Sequence, residues 1–363
     1  MRMLQARYRW VSMVACVAGS ILSCTPVAEE SQVEEEAGEF YELSGDYLGQ
    51  ELPGMTPRLF APGIVSTGLS ERDVAITPDG DEIYFSGVIG ANHDFSAILV
   101  VKRVEGRWSK PEVAPFSGNY MDLEPAISPD GQQFFFLSNR PLPGSSEPLG
   151  GEDIWVMERT SEGWSEPSNL GPPVNSEAAE FFPSVTWDGA LYFTRRGEGR
   201  SETIFRSRFV DGAYSEPEEL GPEVNSGQTQ FNAFIAPDES YLVVCVWGRD
   251  DSLGGVDYYV VFRSADDVWS EPINLGEAVN MAEGSEWSPY VSPDGKYFFF
   301  MSSRATIQKG RSPERLDYED MKRLHDLPMN GNSDIWWVDA RVVTGLRPQT
   351  VEAEAGRGGS QVD

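Results

Sequence analysis

The 363-residue chain is poor in histidine, cysteine and positive charge, and each shortage removes a class of protein. Two histidines, His93 and His325, leave little room for a His-ligated metal or a Ser–His–Asp nucleophile. Lys and Arg number 28 against 58 Asp and Glu, a net charge of −30. With so few cations there is no basic face for phosphates, so nucleic acid is excluded as a partner. A polyanionic ligand is disfavoured unless a local Arg cluster overrides that field. No apolar run is long enough to cross a bilayer as a helix, which excludes a polytopic membrane protein. Apolar residues are not short: hydrophobics are 40% and aromatics 12%, too much apolar area for a disordered chain. With 36 Gly and 25 Pro, the composition points to many short strands joined by turns.

Arg2, Arg7 and Arg9 precede an apolar stretch at residues 11–22, the pattern of a secretory signal too short to span stably. It ends in Ile21-Leu22-Ser23-Cys24, which resembles the bacterial lipobox, with Ile and Leu where Leu and a smaller residue are commoner. The resemblance implies that Cys24 is lipidated and becomes the first mature residue; the alternative is a soluble secreted protein cut elsewhere. Thr25 follows Cys24, which in enteric-type bacteria favours the outer membrane, on its periplasmic side or at the cell surface. Cys16 leaves with the leader, so Cys245 stays alone and no internal disulfide is possible. The expected organisation is a signal peptide at 1–23, a lipidated, acidic tether at 24–54, a folded body at 55–343 and a disordered tail at 344–363.

The body is one unit repeated five times. Turns recur at Pro78-Asp79-Gly80, Pro129-Asp130-Gly131, Trp187-Asp188-Gly189, Pro237-Asp238-Glu239 and Pro293-Asp294-Gly295, spaced by 51, 58, 50 and 56 residues. Proline presets φ, aspartate bonds back to the backbone and glycine takes the conformation other residues resist. An apolar strand follows each turn, then a third strand as in Asp153-Ile154-Trp155-Val156. A fourth carries an aromatic-Ser-x-Pro motif at Trp108, Trp164, Tyr214 and Trp269. Four antiparallel strands at this period make the blades of a β-propeller, all-β in class. The fifth unit lacks its fourth strand, whereas an orphan strand near Arg58-Leu59-Phe60-Ala61-Pro62 precedes the first. That orphan is expected to complete the fifth blade and close the ring; six blades is the alternative.

These turns, the Asp-Ile-Trp strands and Trp-Ser-Glu-Pro-x-Asn-Leu-Gly at 164–171 and 269–276 resemble the WD40-like propeller repeats of bacterial exported proteins. The periplasmic propeller of the Tol system is the best-known relative. The resemblance implies an extracytoplasmic, monomeric binding or scaffolding module, and gives weak guidance on chemistry.

Seven residues before each turn lie Glu71, Asp122, Glu180, Gln230 and Glu286. If the first strand of each blade lines the channel, they form a ring able to bind a cation such as calcium, a hydroxylated small molecule or a protein. The competing reading is structural: Arg140, Arg196, Arg249 and Arg304 end second strands, where they can pair with the acids. A third reading is a five-bladed glycoside hydrolase with Glu180 and Glu286 in catalysis and Asp122 modulating. No cofactor is implied. The longest insertion, 305–332, reads as an amphipathic helix near 316–327, a partner contact or a cap on the channel mouth.

Overall fold

The computed structural model describes residues 41–90, 93–197, 199, 201–282, 286–307, 310–312 and 314–349. The leader, Cys24, most of the tether and the end of the tail lie outside the described residues.

Five antiparallel sheets form a five-bladed propeller, with inner strands Ser70–Ile76, Asp122–Ile127, Glu180–Val185, Thr229–Ile235 and Glu286–Val291. Each pairs with the apolar strand beyond its turn, and the sheet grows outward by hairpins. The turns obey their sequence. Thr77, Ser128 and Ser292 donate their hydroxyls to Asp79, Asp130 and Asp294 at 2.5, 2.6 and 2.7 Å. The same hydroxyls accept the N–H groups of Glu82, Gln133 and Tyr297, tying the strand start to the turn. Gly80, Gly131, Gly189 and Gly295 take φ between 71° and 82°, where a side chain is strained; Glu239 accepts φ 56° in blade four.

The fourth strand is interrupted at its proline, which has no N–H for the ladder. In blade one it runs as Arg107–Trp108 and then Glu112–Val113. The serine of the motif bridges the gap. Hydroxyls of Ser109, Ser165, Ser215 and Ser270 accept the N–H groups of Lys102, Glu158 and Phe262 on third strands, and of Arg208 just past one, at 3.0 Å. Its aromatic packs inward: Trp108 is fully buried, and Trp164 Nε1 reaches across a blade seam to the Tyr84 hydroxyl at 2.9 Å.

The ring closes as expected. Arg58 and Leu59 pair antiparallel with Trp337 and Trp336 of Asp334–Asp339, supplying the outer strand of blade five. Phe60 is fully buried beside them. The folded chain also takes in residues upstream of 55: Leu48 is fully buried, and the Tyr47 hydroxyl bonds Asp294 of blade five at 3.0 Å. Downstream, Arg347 donates to the Ser240 carbonyl at 3.1 Å.

The insertion carries a helix at Tyr318–Asp326, capped by reciprocal bonds between Asp317 and Asp320. It does not cap the cavity mouth. Its C-terminal end rests on Gly68, at the opposite end of the inner strand from the Pro-Asp-Gly turns. A Cβ at Gly68 would stand 2.8 Å from the His325 carbonyl oxygen. Among the described residues no helix is long and apolar enough to cross a membrane.

Candidate functional site

The residues before each inner strand fasten blade to blade. Asn175, Asn225 and Asn280 each accept the N–H and donate to the carbonyl of a third-strand residue in the preceding blade, at Ile154, Ile204 and Tyr258. Ser66 does the same to Ile335, and Ser117 accepts from Ile98. Five or six residues later come the acids and amide of the sequence register. Glu71, Asp122, Glu180, Gln230 and Glu286 are all at most 3% exposed.

Each is bonded to its own approach loop. Glu71 accepts from the Thr67 N–H and hydroxyl. Asp122 accepts from Ser117, Ser138 and Arg140 at 2.7, 2.6 and 2.8 Å. Glu180 accepts from the Ser176 N–H at 3.0 Å and from Arg195 at 2.7 Å. Gln230 accepts from the Gly227 N–H and donates to the Glu202 carbonyl. Glu286 accepts from the Met281 N–H of its loop at 3.5 Å and from Ser302 on the next strand at 3.2 Å. Burial pushes the Glu71 and Glu286 carboxyls up to about 7. The arginine pairing is partial: Arg140 meets its acid, Arg195 rather than Arg196 meets Glu180, Arg249 pairs with Asp251, and Arg304 donates to the Ala278 and Val279 carbonyls. None of these five register residues lines the axial cavity. Among the described residues no group of three His, Cys, Asp or Glu is placed to hold a metal.

The cavity is built two residues further on. Each inner strand carries a bulge, after Arg72, Leu123, Phe181, Phe231 and Trp287. At each bulge one residue is left-handed: Asp73, Glu124, Phe182, Asn232 and Ser288, with φ between 50° and 62°. No glycine stands there, so the fold holds five strained residues in one register, a place where function commonly sits. Sequence reasoning missed this layer. The available signal was the recurring proline at Pro125, Pro183 and Pro289, which cannot continue a central ladder and so marks a bulge.

Four of those residues floor an axial cavity of about 410 Å³ that opens between the five turns. The layer behind the floor is closed by Leu123, Phe181 and Phe231 in one apolar cluster, with Trp287 edge-on to Phe231 at 5.9 Å. Arg72 lies over Trp287, with its guanidinium 5.7 Å from the ring centre, and turns toward the floor. There it meets Asp73 at 2.9 Å and Glu124 at 2.8 Å. Burial pushes the Glu124 carboxyl up, against the pull of Arg72. Its other oxygen accepts the Phe182 N–H at 2.7 Å.

The walls are unequal. Midway up stand Ala126 and Ser184 on blades two and three but Phe234 and Tyr290 on blades four and five, edge to face at 5.7 Å. The Tyr290 hydroxyl is fixed by the Ile76 N–H at 3.1 Å. At the lip Trp187 replaces the proline of the other turns and is 65% exposed. Beside it Phe209 and Val210 are also exposed, on a hairpin packed against Gly189. One side of the mouth is therefore apolar and aromatic.

No protein-family model matches the chain, and no curated protein matches it either. Solved propellers do resemble it. TolB from Acinetobacter baumannii is 17% identical with a TM-score of 0.41, over 75% of this chain and 57% of that one. A putative TolB from Agrobacterium tumefaciens is 15% identical at 0.45, over 75% and 90%. A glycoside hydrolase is 9% identical at 0.47, over 87% and 96%. The chain thus spans little more than half of the first TolB. At these identities the likeness is one of fold.

Proposed function

We propose that this protein is an extracytoplasmic binding module, tethered to a membrane through Cys24, that takes a small ligand into its axial cavity. The observation that carries the reading is the cavity itself: blind at the floor, open at one face, and walled by all five inner strands. Its volume falls within the range of small-molecule sites, and its apolar walls with few polar groups fit their usual make-up. The export leader and lipobox-like sequence support the location, and the acidic tether supports a body held off the membrane. The register acids Glu71, Asp122, Glu180 and Glu286, with Gln230, then act as fasteners of the blade seams. A scaffolding role would use the same mouth, with Trp187, Phe209 and Val210 as its apolar contact.

The hydrolase reading has one supporting observation, two buried carboxylates at the cavity floor. They are Asp73 and Glu124, whereas Glu180 and Glu286 are held in the approach loops. Both floor acids already hold Arg72, and Glu124 also holds a backbone N–H, which suits architecture better than proton transfer. Thermal-shift screening of amines, oligosaccharides and apolar acids against wild type and Trp187→Ala tests the proposal. A ligand at about 100 times its Kd raises stability by roughly 2.7 kcal/mol. The reading expects a hit that weakens in Trp187→Ala without loss of basal stability. Release of reducing sugar, lost in Glu124→Gln, would replace it with the hydrolase.

A further inference from the structure

The walls of the axial cavity have little to offer a polar ligand. Among the described residues, the inner strands bring five polar side chains to its lining: Asp73, Glu124, Ser184, Ser288 and Tyr290. Each is already bonded to the protein. Asp73 holds Arg72 and receives the Ser288 hydroxyl. Glu124 holds the same arginine and the Phe182 N–H. The Ser184 hydroxyl accepts the Ile235 N–H at 3.0 Å. The Tyr290 hydroxyl accepts from the Ile76 N–H at 3.1 Å and donates to the Ile76 carbonyl at 3.3 Å. Nearer the mouth, Ser128 and Ser292 are tied to the aspartates of their own turns.

Charge is settled within the protein as well. Arg72 is buried between Asp73 and Glu124, and among the described residues no Lys or Arg lines the cavity. Burial pushes Glu124 toward its neutral form, which leaves Arg72 and Asp73 as a balanced pair. An anion is repelled at the mouth, where each of the five turns carries an aspartate. A cation that passes them leaves water and finds no open partner at depth, and an unpaired charge is costly to bury. What remains is apolar surface: Ile76, Val185, Ile235 and Val291 stand with Phe234 and Tyr290 around the space. A cavity water needs roughly two to four polar partners, so this space is poorly hydrated and an apolar molecule displaces no well-bonded water there.

We propose that the ligand is an uncharged, mostly hydrocarbon ring compound that enters past Trp187 and packs against Phe234 and Tyr290, in the room left by the small side chains of Ala126 and Ser184. This rests on the reading of the cavity as the ligand site and names the class of ligand. Affinity comes from buried apolar area and ring contacts, and selectivity from the penalty on any charge carried inside.

Three probes with one ring body test it on the full chain by titration calorimetry at pH 7: 1-naphthalenemethanol, 1-naphthylmethylamine and 1-naphthoate. The alcohol is expected to bind about tenfold or more tighter than either the ammonium or the carboxylate. Its binding should carry a negative heat-capacity change, the mark of apolar burial. Ala126→Phe fills the small side of the cavity and should abolish binding of the alcohol; Ala126→Leu serves if the larger ring prevents folding. The wild-type ranking tests the charge preference without either variant. Equal binding of the three probes, or tighter binding of a charged one, lost in the filled variant, would overturn the uncharged class and leave the cavity as the site. Undiminished binding of the alcohol to a folded, filled variant would overturn both. No binding of the alcohol at millimolar concentration would overturn the ligand class, while a thermal-shift hit weakened by Trp187→Ala would still support the cavity.

Discussion

Removing one side chain from the closing strand should loosen the entire ring. Phe60 is fully buried, edge-on to Phe299 at 5.0 Å and to Trp337 at 5.2 Å, and its N–H bonds the Ile335 carbonyl at 2.8 Å. Phe60→Ala keeps the backbone bond and deletes the ring. Burial loss and the residual cavity cost about 3–5 kcal/mol for a core Phe. Two lost ring contacts, each worth roughly 1 kcal/mol beyond area, place the cost toward the upper end. A folded unit of this size loses about 2 °C of Tm per kcal/mol, so the expected drop is about 8–10 °C. Val113 is the control. It lies on the outer strand of blade one and is 48% exposed, so Val113→Ala should stay within about 0.5 kcal/mol of wild type. Thermal melts followed by circular dichroism and by tryptophan fluorescence give both numbers. A Phe60→Ala protein melting within about 2 °C of wild type would refute closure through residues 58–60.

Three further outcomes follow from the blade seams and the cavity. Glu180→Gln removes the charge that Arg195 faces from a fully buried site. It should cost about 3 kcal/mol by melting while leaving any ligand-induced shift intact; an abolished shift at unchanged stability would make Glu180 a ligand residue. Glu71 and Glu286 have folded carboxyls raised to about 7 by burial, so the folded state binds protons that the unfolded state releases. Their contribution is most favourable below about 4.5 and is lost as pH rises through 7, up to roughly 3 kcal/mol each. Glu71→Gln should therefore gain Tm relative to wild type between pH 5 and pH 8, and an equal difference at both pH values would contradict the burial cause. Asp267 has the opposite sign. Arg206 and Arg263 hold it down to about 2, so its stabilisation is present above about 4 and fades as pH falls toward 2. Because its side chain is 40% exposed, Asp267→Asn should cost only about 1 kcal/mol at pH 7 by urea titration.

The propeller was legible because its signals are local and repeated. Pro-Asp-Gly states a turn chemistry that the structure realises residue by residue, and the orphan strand at Arg58 compensates a missing one at the other end of the chain. The helix at Tyr318–Asp326 lay within the amphipathic stretch read from sequence. The cavity floor was not legible in the same way. Asp73, Glu124, Phe182, Asn232 and Ser288 share a backbone conformation and no side-chain chemistry, so a search for repeated residue types passes over them. What unites them is the bulge, imposed where five inner strands converge and, in three blades, marked by a proline one residue later. The acids two positions earlier are conspicuous for the opposite reason. Each must satisfy the N–H or hydroxyl of a loop before an inner strand, a demand that recurs in every blade and therefore leaves a repeated residue type.

The cavity reading is tested most directly by a crystal structure of the protein soaked with the tightest ligand of the thermal-shift panel. Density is predicted in the axial cavity, against Phe234 and Tyr290. An empty cavity, with the same ligand bound at a blade edge or on the helix at Tyr318–Asp326, would contradict it.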